Sequence, residues 1–141
     1  MQPAFPSPLP KADCAAIIVA AGSGSRMGGD VPKQFMDLGG EPVLAHSLRA
    51  FADEPRFGTM VVVCAADWAE EVRTIAKKIG ATVHIAEGGA TRRDSVQAGL
   101  SALSEAHSAP AYIFVHDAAR PGPSQEMLDR LHHALLSADA A

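Results

Sequence analysis

The sequence predicts an α/β protein with a mostly parallel sheet and helices on both of its faces. Three observations carry that expectation. Short continuous apolar runs rich in β-branched residues recur along the chain. Between them lie stretches whose apolar residues repeat every three or four positions. Glycines or prolines mark most of the joins. The first pattern reads as buried strands and the second as amphipathic helices. Their alternation makes β-α-β units, which imply a parallel sheet.

The first strand is predicted over residues 15–19 (AAIIV), and it runs into the glycine-rich stretch AAGSGS at 20–25. Gly39-Gly40 marks a turn, and Pro42 suits a first helical turn. Val43, Leu44, Ser47, Leu48 and Phe51 then recur at helical spacing up to Pro55. Residues 59–64 (TMVVVC) form the second strand. Asp67 with Glu70 three residues on reads as a capping box for a helix whose inner stripe is Val72, Ile75, Ala76 and Ile79. Gly80 stops that helix in the left-handed conformation glycine favours. A third strand is expected over 82–86. A helix follows over 95–103, with Val96, Leu100 and Leu103 inward. Residues 112–115 (YIFV) give the fourth strand. Ser124 caps a last helix whose apolar positions are Met127, Leu128, Leu131 and Leu135.

Composition narrows the function classes. The chain has 141 residues, 48% hydrophobic and 20% charged, which suits one globular domain. Its net charge of −4 argues against a general nucleic-acid binder. No apolar run reaches the roughly 20 residues that cross a membrane. Pro3, Pro6, Pro8 and Pro10 deny the first residues a signal-peptide helix, so residues 1–12 are expected to be a flexible tail on a cytoplasmic protein, with the catalytic domain over 13–141. The two cysteines, Cys14 and Cys64, read as buried free thiols. His46, His132 and His133 lack metal-ligand spacing with any cysteine or carboxylate, and read as surface or partly buried helix residues.

Right-handed crossovers place the strand-to-helix loops along one edge of the sheet, where ligands of such sheets bind. The chemistry is therefore expected after the first, third and fourth strands. In the first loop, Gly22 and Gly24 let backbone N–H groups approach phosphate oxygens. Arg26 and Lys33 add two cations, which suits displacement at a triphosphate, where charge builds on the leaving pyrophosphate. Taken alone this pattern also describes an ordinary surface turn, because neither a dinucleotide fingerprint nor a Walker loop is present. Asp117, at the end of the fourth strand, is a natural oxygen ligand for Mg2+ beside a triphosphate, or the acidic half of a loop ion pair with Arg120.

Three segments in order carry a resemblance: AAGSGSRM at 20–27 with PKQ at 32–34, GGATRRDSV at 88–96, and HDAARP at 116–121. The first resembles the nucleotide-binding loop of the nucleotide-diphospho-sugar transferase-like, Rossmann-like fold. Together they resemble the methylerythritol phosphate cytidylyltransferases over residues 13–141. The resemblance implies transfer of CMP from CTP to a sugar-alcohol phosphate, in non-mevalonate isoprenoid biosynthesis. It makes Arg26 and Lys33 the catalytic cations, and Ala20, Ala21, Gly22, Ser23 and Gly24 the nucleotide loop. It places Gly89, Arg92 and Ser95 around cytosine and ribose, and Asp117, Ala118 and Arg120 at the junction with the acceptor. Where many members carry an acid, this chain has Ala90, so only a backbone contact would survive there. His116 is rejected as a base, because the acceptor phosphate is already an anion.

The family's enzymes run well beyond 200 residues, so the resemblance also implies truncation at the carboxyl end. The remainder would carry a projecting arm that makes a homodimer, and a Thr, an Arg and a Lys that hold the acceptor phosphate. Some members are fused to the cyclodiphosphate synthase of the same pathway. A ribitol-phosphate cytidylyltransferase and a catalytically incomplete nucleotide-binding fragment remain as alternatives.

Overall fold

Residues 13–22, 31–106, 109–138 and 140 are described by the structure, a computed structural model. The apolar runs become strands β1 (Cys14–Ala20), β4 (Phe57–Cys64), β5 (His84–Glu87) and β6 (Tyr112–Asp117). They form one sheet in the order β5-β4-β1-β6, with all three pairings parallel. The helices between them are α1 (Val43–Ala52), α2 (Ala69–Lys78), α3 (Arg92–Glu105) and α4 (Gln125–Leu135). A two-stranded hairpin, β2 (Asp37–Leu38) with β3 (Glu41–Pro42), precedes α1.

Alternation along β1 and β4 sends side chains to two cores. Ala16, Ile18, Met60 and Val62 meet Leu44, Leu48 and Phe51 of α1, Val72 and Ile75 of α2, and Leu128 of α4. On the other face Ala15, Ile17, Val61 and Val63 meet Leu103, with Ala98 and Ala102 packed alongside. Helices thus cover both faces of β1 and β4, as their continuous apolar runs required, while β6 leaves Ile113 and Val115 exposed. Aromatic edges close the first core, with Phe57 edge-on to Phe51 and Phe114, each pair of ring centroids 5.0 Å apart.

Several boundaries differ from expectation. Asp67 does not cap α2. It lies in a 3-10 turn over Ala66–Trp68, and α2 begins at Ala69 with no side-chain cap. The extra turn carries Trp68 onto Phe35, where the rings stack 4.3 Å apart, and that contact outweighs the missing cap. The third strand, expected over 82–86, starts two residues later and ends one later. Pro42 ends β3 and precedes the first turn of α1 rather than lying in it.

α3 starts at Arg92, capped by Thr91 in a reciprocal box with Asp94. Its buried residues are Ser95, Gly99 and Leu103, while Leu100 is exposed and Val96 half-buried. The helix turns this narrow face inward because Gly99 lets it approach β1. A Cβ at Gly99 would come within 2.6 Å of Ile17 Cγ2. In α4 only Leu128 is fully buried; Leu131 and Leu135 are half-buried, and Met127 is exposed. Gly80 has φ +74°, the expected left-handed stop of α2. No helix among the described residues is long and apolar enough to cross a membrane.

Candidate active site

A cleft of about 440 Å³ opens at the carboxyl ends of β1, β5 and β6. Three loops build it. Val19, Ala21 and Gly22 come from the end of β1, with Lys33 and Gln34 from further along the same connection. Gly89, Ala90, Thr91, Arg92 and Ser95 come from the β5–α3 connection, and Asp117, Ala119 and Arg120 follow β6. These are the three loops expected from the strand order. Arg26, Ser23 and Gly24, expected in the first of them, lie outside the described residues.

Lys33 opens a 3-10 turn, Lys33–Phe35, in which Gln34 and Phe35 are buried and Lys33 is exposed. Gln34 is 4% exposed, and its Nε2 donates to the carbonyls of Ala20 and Gly22, both at 2.8 Å. One amide therefore ties the Lys33 turn to the exit of β1. The expectation for Ala20 as a nucleotide contact meets this geometry: Ala20 is 3% exposed, beneath the cleft, with its carbonyl held by Gln34. Ala21 and Gly22 do face the cleft.

The second loop approaches the first closely at Gly88. A Cβ there would lie 2.3 Å from Ala21 Cβ, so only glycine fits without displacing the neighbouring loop. The loop's amides are mostly engaged. Gly88 N–H donates to Cys64 O at 2.9 Å, Gly89 N–H to Ser95 Oγ at 3.2 Å, and Thr91 N–H to Asp94 Oδ2 at 3.3 Å. The Ala90 N–H is left without an internal partner among the described residues. Ser95 is 2% exposed and shapes the loop through Gly89.

Arg92 and Asp117 meet across the cleft, with Nε donating to Oδ1 at 3.1 Å. Their side chains are 61% and 43% exposed, so the pair is worth at most about 1 kcal/mol and opens readily to a ligand. Asp117 is thus paired with Arg92 rather than with Arg120. The Arg120 N–H donates to the Asp117 carbonyl at 3.1 Å, closing a tight turn. Ser47 of α1, fully buried, donates from Oγ to the Arg120 carbonyl at 2.6 Å. His116 Nε2 donates to the same carbonyl at 3.1 Å. Burial pushes the His116 pKa down, and with its Nε2–H engaged by the Arg120 carbonyl the ring acts as a strut for this turn.

Ala118, expected at the nucleotide, is fully buried, with its N–H donating to Val19 O at 2.9 Å. Ala119 lines the cleft in its place. The chain turns sharply after Asp117, and that turn rotates Ala118 under the floor. Sequence reasoning named neither Gln34 nor Ser47 as site residues. Ser47 carried a signal, as a hydroxyl within the inward stripe of α1 that needs a buried partner.

The donor set suits a hard cation only together with a ligand. Asp117 is the one cleft-lining carboxylate among the described residues. A single carboxylate beside phosphate oxygens is how Mg2+ is commonly held.

Comparisons with known proteins place the chain in a family. The family profile for "IspD: 2-C-methyl-D-erythritol 4-phosphate cytidylyltransferase" matches residues 14–141. A 2-C-methyl-D-erythritol 4-phosphate cytidylyltransferase of Nitrosomonas eutropha is 44% identical over 119 residues, covering 82% of this chain and 51% of that protein. A bifunctional enzyme IspD/IspF of Rhodospirillum rubrum is 40% identical over 124 residues, covering 88% of this chain and 32% of that one. The crystal structure of 4-diphosphocytidyl-2C-methyl-D-erythritol synthase from Anaerococcus prevotii superposes with a TM-score of 0.72 at 27% identity, over 88% of this chain and 51% of its own. The chain thus spans about half the length of the single-function relatives, or a third of the bifunctional one. It belongs to the 2-C-methyl-D-erythritol 4-phosphate cytidylyltransferase (IspD) family.

Proposed function

We propose that this chain carries the nucleotide side of an enzyme that transfers CMP from CTP to 2-C-methyl-D-erythritol 4-phosphate, releasing pyrophosphate, in non-mevalonate isoprenoid biosynthesis. The observation that carries the reading is the cleft, which gathers Lys33, Arg92, Arg120 and Asp117 around the exposed backbone of Gly22 and Ala90. Three cations and one carboxylate suit a ligand with several phosphate charges.

The reaction is an in-line displacement. A phosphate oxygen of the acceptor attacks the α-phosphorus of CTP, and the bond to pyrophosphate breaks. The acceptor phosphate is already an anion, so no base is required, which agrees with His116 being engaged by the Arg120 carbonyl. Lys33, with Arg26 as its expected companion, meets the charge that grows on the phosphates in the transition state. The Ala90 N–H donates to an acceptor on the cytosine edge, a backbone contact that the loss of an acidic side chain at this position leaves intact. Arg92 leaves Asp117 as the nucleotide enters, and turns to the ribose or base. Asp117 then has both oxygens for the phosphate side, and Arg120 holds the acceptor phosphate. Mg2+, bound by Asp117 and phosphate oxygens, would supply charge neutralisation between the phosphates. The working unit we propose is a cytoplasmic homodimer, a reading that rests on the resemblance alone.

Calorimetry with Mg2+ tests the nucleotide assignment: CTP should bind at least tenfold more tightly than ATP or GTP. Equal affinities would refute a cytidine pocket. Pyrophosphate release by the longest reading frame that contains this chain tests the acceptor. Methylerythritol phosphate should be preferred, and a preference for ribitol phosphate would overturn that assignment.

A further inference from the structure

We propose that Asp13, Cys14 and His132 form a divalent-metal site suited to Zn2+, at the end of the sheet opposite the nucleotide cleft. Cys14 opens β1 and Asp13 precedes it, whereas the cleft begins where β1 ends. The strand spans seven residues, Cys14–Ala20, roughly 20 Å from first to last. His132 comes from α4 and completes the cluster from another part of the chain.

Geometry carries the inference. One ligand atom from each of the three side chains lies within 4.8 Å of the others. Cys14 Sγ is 3.3 Å from Asp13 Oδ1, and His132 Nε2 is 3.6 Å from Asp13 Oδ2. Ligand atoms around a tetrahedral Zn2+ stand about 3.3–3.8 Å apart, given bond lengths of about 2.0–2.3 Å. Small side-chain rotations bring all three onto one ion. The Nε2 of His132 is itself buried and has no hydrogen-bond partner among the described residues. Asp13 Oδ2, at 3.6 Å, stands within ion-pair range but beyond hydrogen-bond reach; a buried ring nitrogen with no hydrogen bond needs an explanation, and an ion at this point provides it.

The surroundings hold the donors in place. The Asp13 carbonyl accepts from Ala111 N at 2.8 Å and Tyr112 N at 3.1 Å, and Cys14 N donates to Arg56 O at 2.9 Å. Tyr112 packs edge-on to the His132 ring, with centroids 5.3 Å apart. Charge also fits. A thiolate and a carboxylate cancel the dication, and the imidazole adds none. Arg56, the cation facing Cys14, is already paired with Glu54 and Asp129. Sulfur, nitrogen and one oxygen make a borderline-soft set that selects Zn2+ over Mg2+. The side chains of Asp13 and His132 are 27% and 18% exposed, which leaves an entry path and a fourth position for water. The ion would fasten the start of β1 to α4, a helix with one fully buried residue.

The test is titration of the chain with Zn2+ against a chromophoric chelator, with native mass spectrometry for stoichiometry. One Zn2+ per chain is expected. Cys14→Ser and His132→Gln should each weaken binding by at least about 100-fold, beyond the usual cost of losing a supporting residue. His133→Gln, on the exposed neighbour, should leave it unchanged. Co2+ should give a thiolate charge-transfer band that Cys14→Ser abolishes, and Zn2+ should raise the melting temperature of the unaltered chain but not of His132→Gln. Circular dichroism checks that each variant is folded; if Cys14→Ser is not, His132→Gln decides. Absence of stoichiometric Zn2+, or undiminished binding in His132→Gln, would overturn the proposal.

Discussion

Replacing Gln34 with leucine should loosen the cleft from beneath while removing no cleft charge. The side chain is 4% exposed and donates two hydrogen bonds of 2.8 Å, to Ala20 O and Gly22 O. Leucine fills similar space and donates neither. The two carbonyls then fare differently. Gly22 is exposed, so water replaces its lost partner, whereas Ala20 is 3% exposed and its carbonyl loses a buried donor. One unsatisfied buried acceptor costs about 1–3 kcal/mol, so the folded state should lose about that much, read from the urea midpoint at constant m-value. Affinity for CTP should fall further than stability predicts, because Lys33 is the residue next to Gln34 and its turn is no longer tied to the loop. Gln34→Glu should behave as leucine does at neutral pH and recover part of its CTP affinity in mild acid, where a protonated carboxyl regains one donor. Unchanged CTP affinity in a folded Gln34→Leu chain would refute the positioning argument. Lost affinity in Gln34→Glu with no recovery in mild acid would assign the effect to packing instead.

In the longest reading frame, Lys33→Ala and Arg26→Ala should each lower turnover by roughly 10²–10³-fold with a smaller change in KM, the pattern of a charge stabiliser acting in the transition state; near-normal turnover in both would remove them from the chemistry. Gly99→Val should cost about 1–3 kcal/mol from overpacking, since even a Cβ there falls 2.6 Å from Ile17 Cγ2, and a neutral result in thermal unfolding would show that α3 can back away from the sheet. Acid should weaken the fold through Glu54, whose carboxyl is held down to about 2 by Arg56, from an ordinary value of 4.5. Its folded pKa is the lower one, so the contribution is whole above about pH 4.5 and fades as pH falls toward 2. It is on the order of 3 kcal/mol at neutral pH, and Glu54→Gln should flatten the stability-against-pH curve across that window.

The strands and the placement of the loops were legible because both rest on local pattern. Short continuous apolar runs bounded by turn residues marked the strands, though β6 leaves Ile113 and Val115 exposed on one face, and glycine, arginine and aspartate concentrate where those strands end. Boundaries set by tertiary contact were not legible. Asp67 and Glu70 have capping-box spacing, yet stacking of Trp68 on Phe35 holds a 3-10 turn there. Leu100 fits the helical period of α3, yet Gly99 faces inward. Within the site, residues with exposed charge were found, whereas the buried amide of Gln34 and the partnering of Arg92 with Asp117 were not, because those depend on segments distant in sequence. The same limit hid His132, which has no ligand spacing along the chain and meets Asp13 and Cys14 only in the folded sheet.

The composition of α3 follows from what its first turn has to reach. Ser95 and Gly99 are one helical turn apart on the same face, and both are buried against the sheet. A larger residue at 99 would lift the helix off Ile17, and Ser95 would rise with it. Ser95 Oγ accepts the Gly89 N–H, so the second loop would lose the contact that sets its path past Asp94. Gly88, in turn, lies so close to Ala21 that any movement of this loop bears on the first. The small inward residues of α3, which give its inner face little apolar area, are therefore what let three loops converge on one cleft. The shape of the cleft is set here by close approach of glycine backbone to neighbouring side chains, and the weak helix face is the structural cost of it.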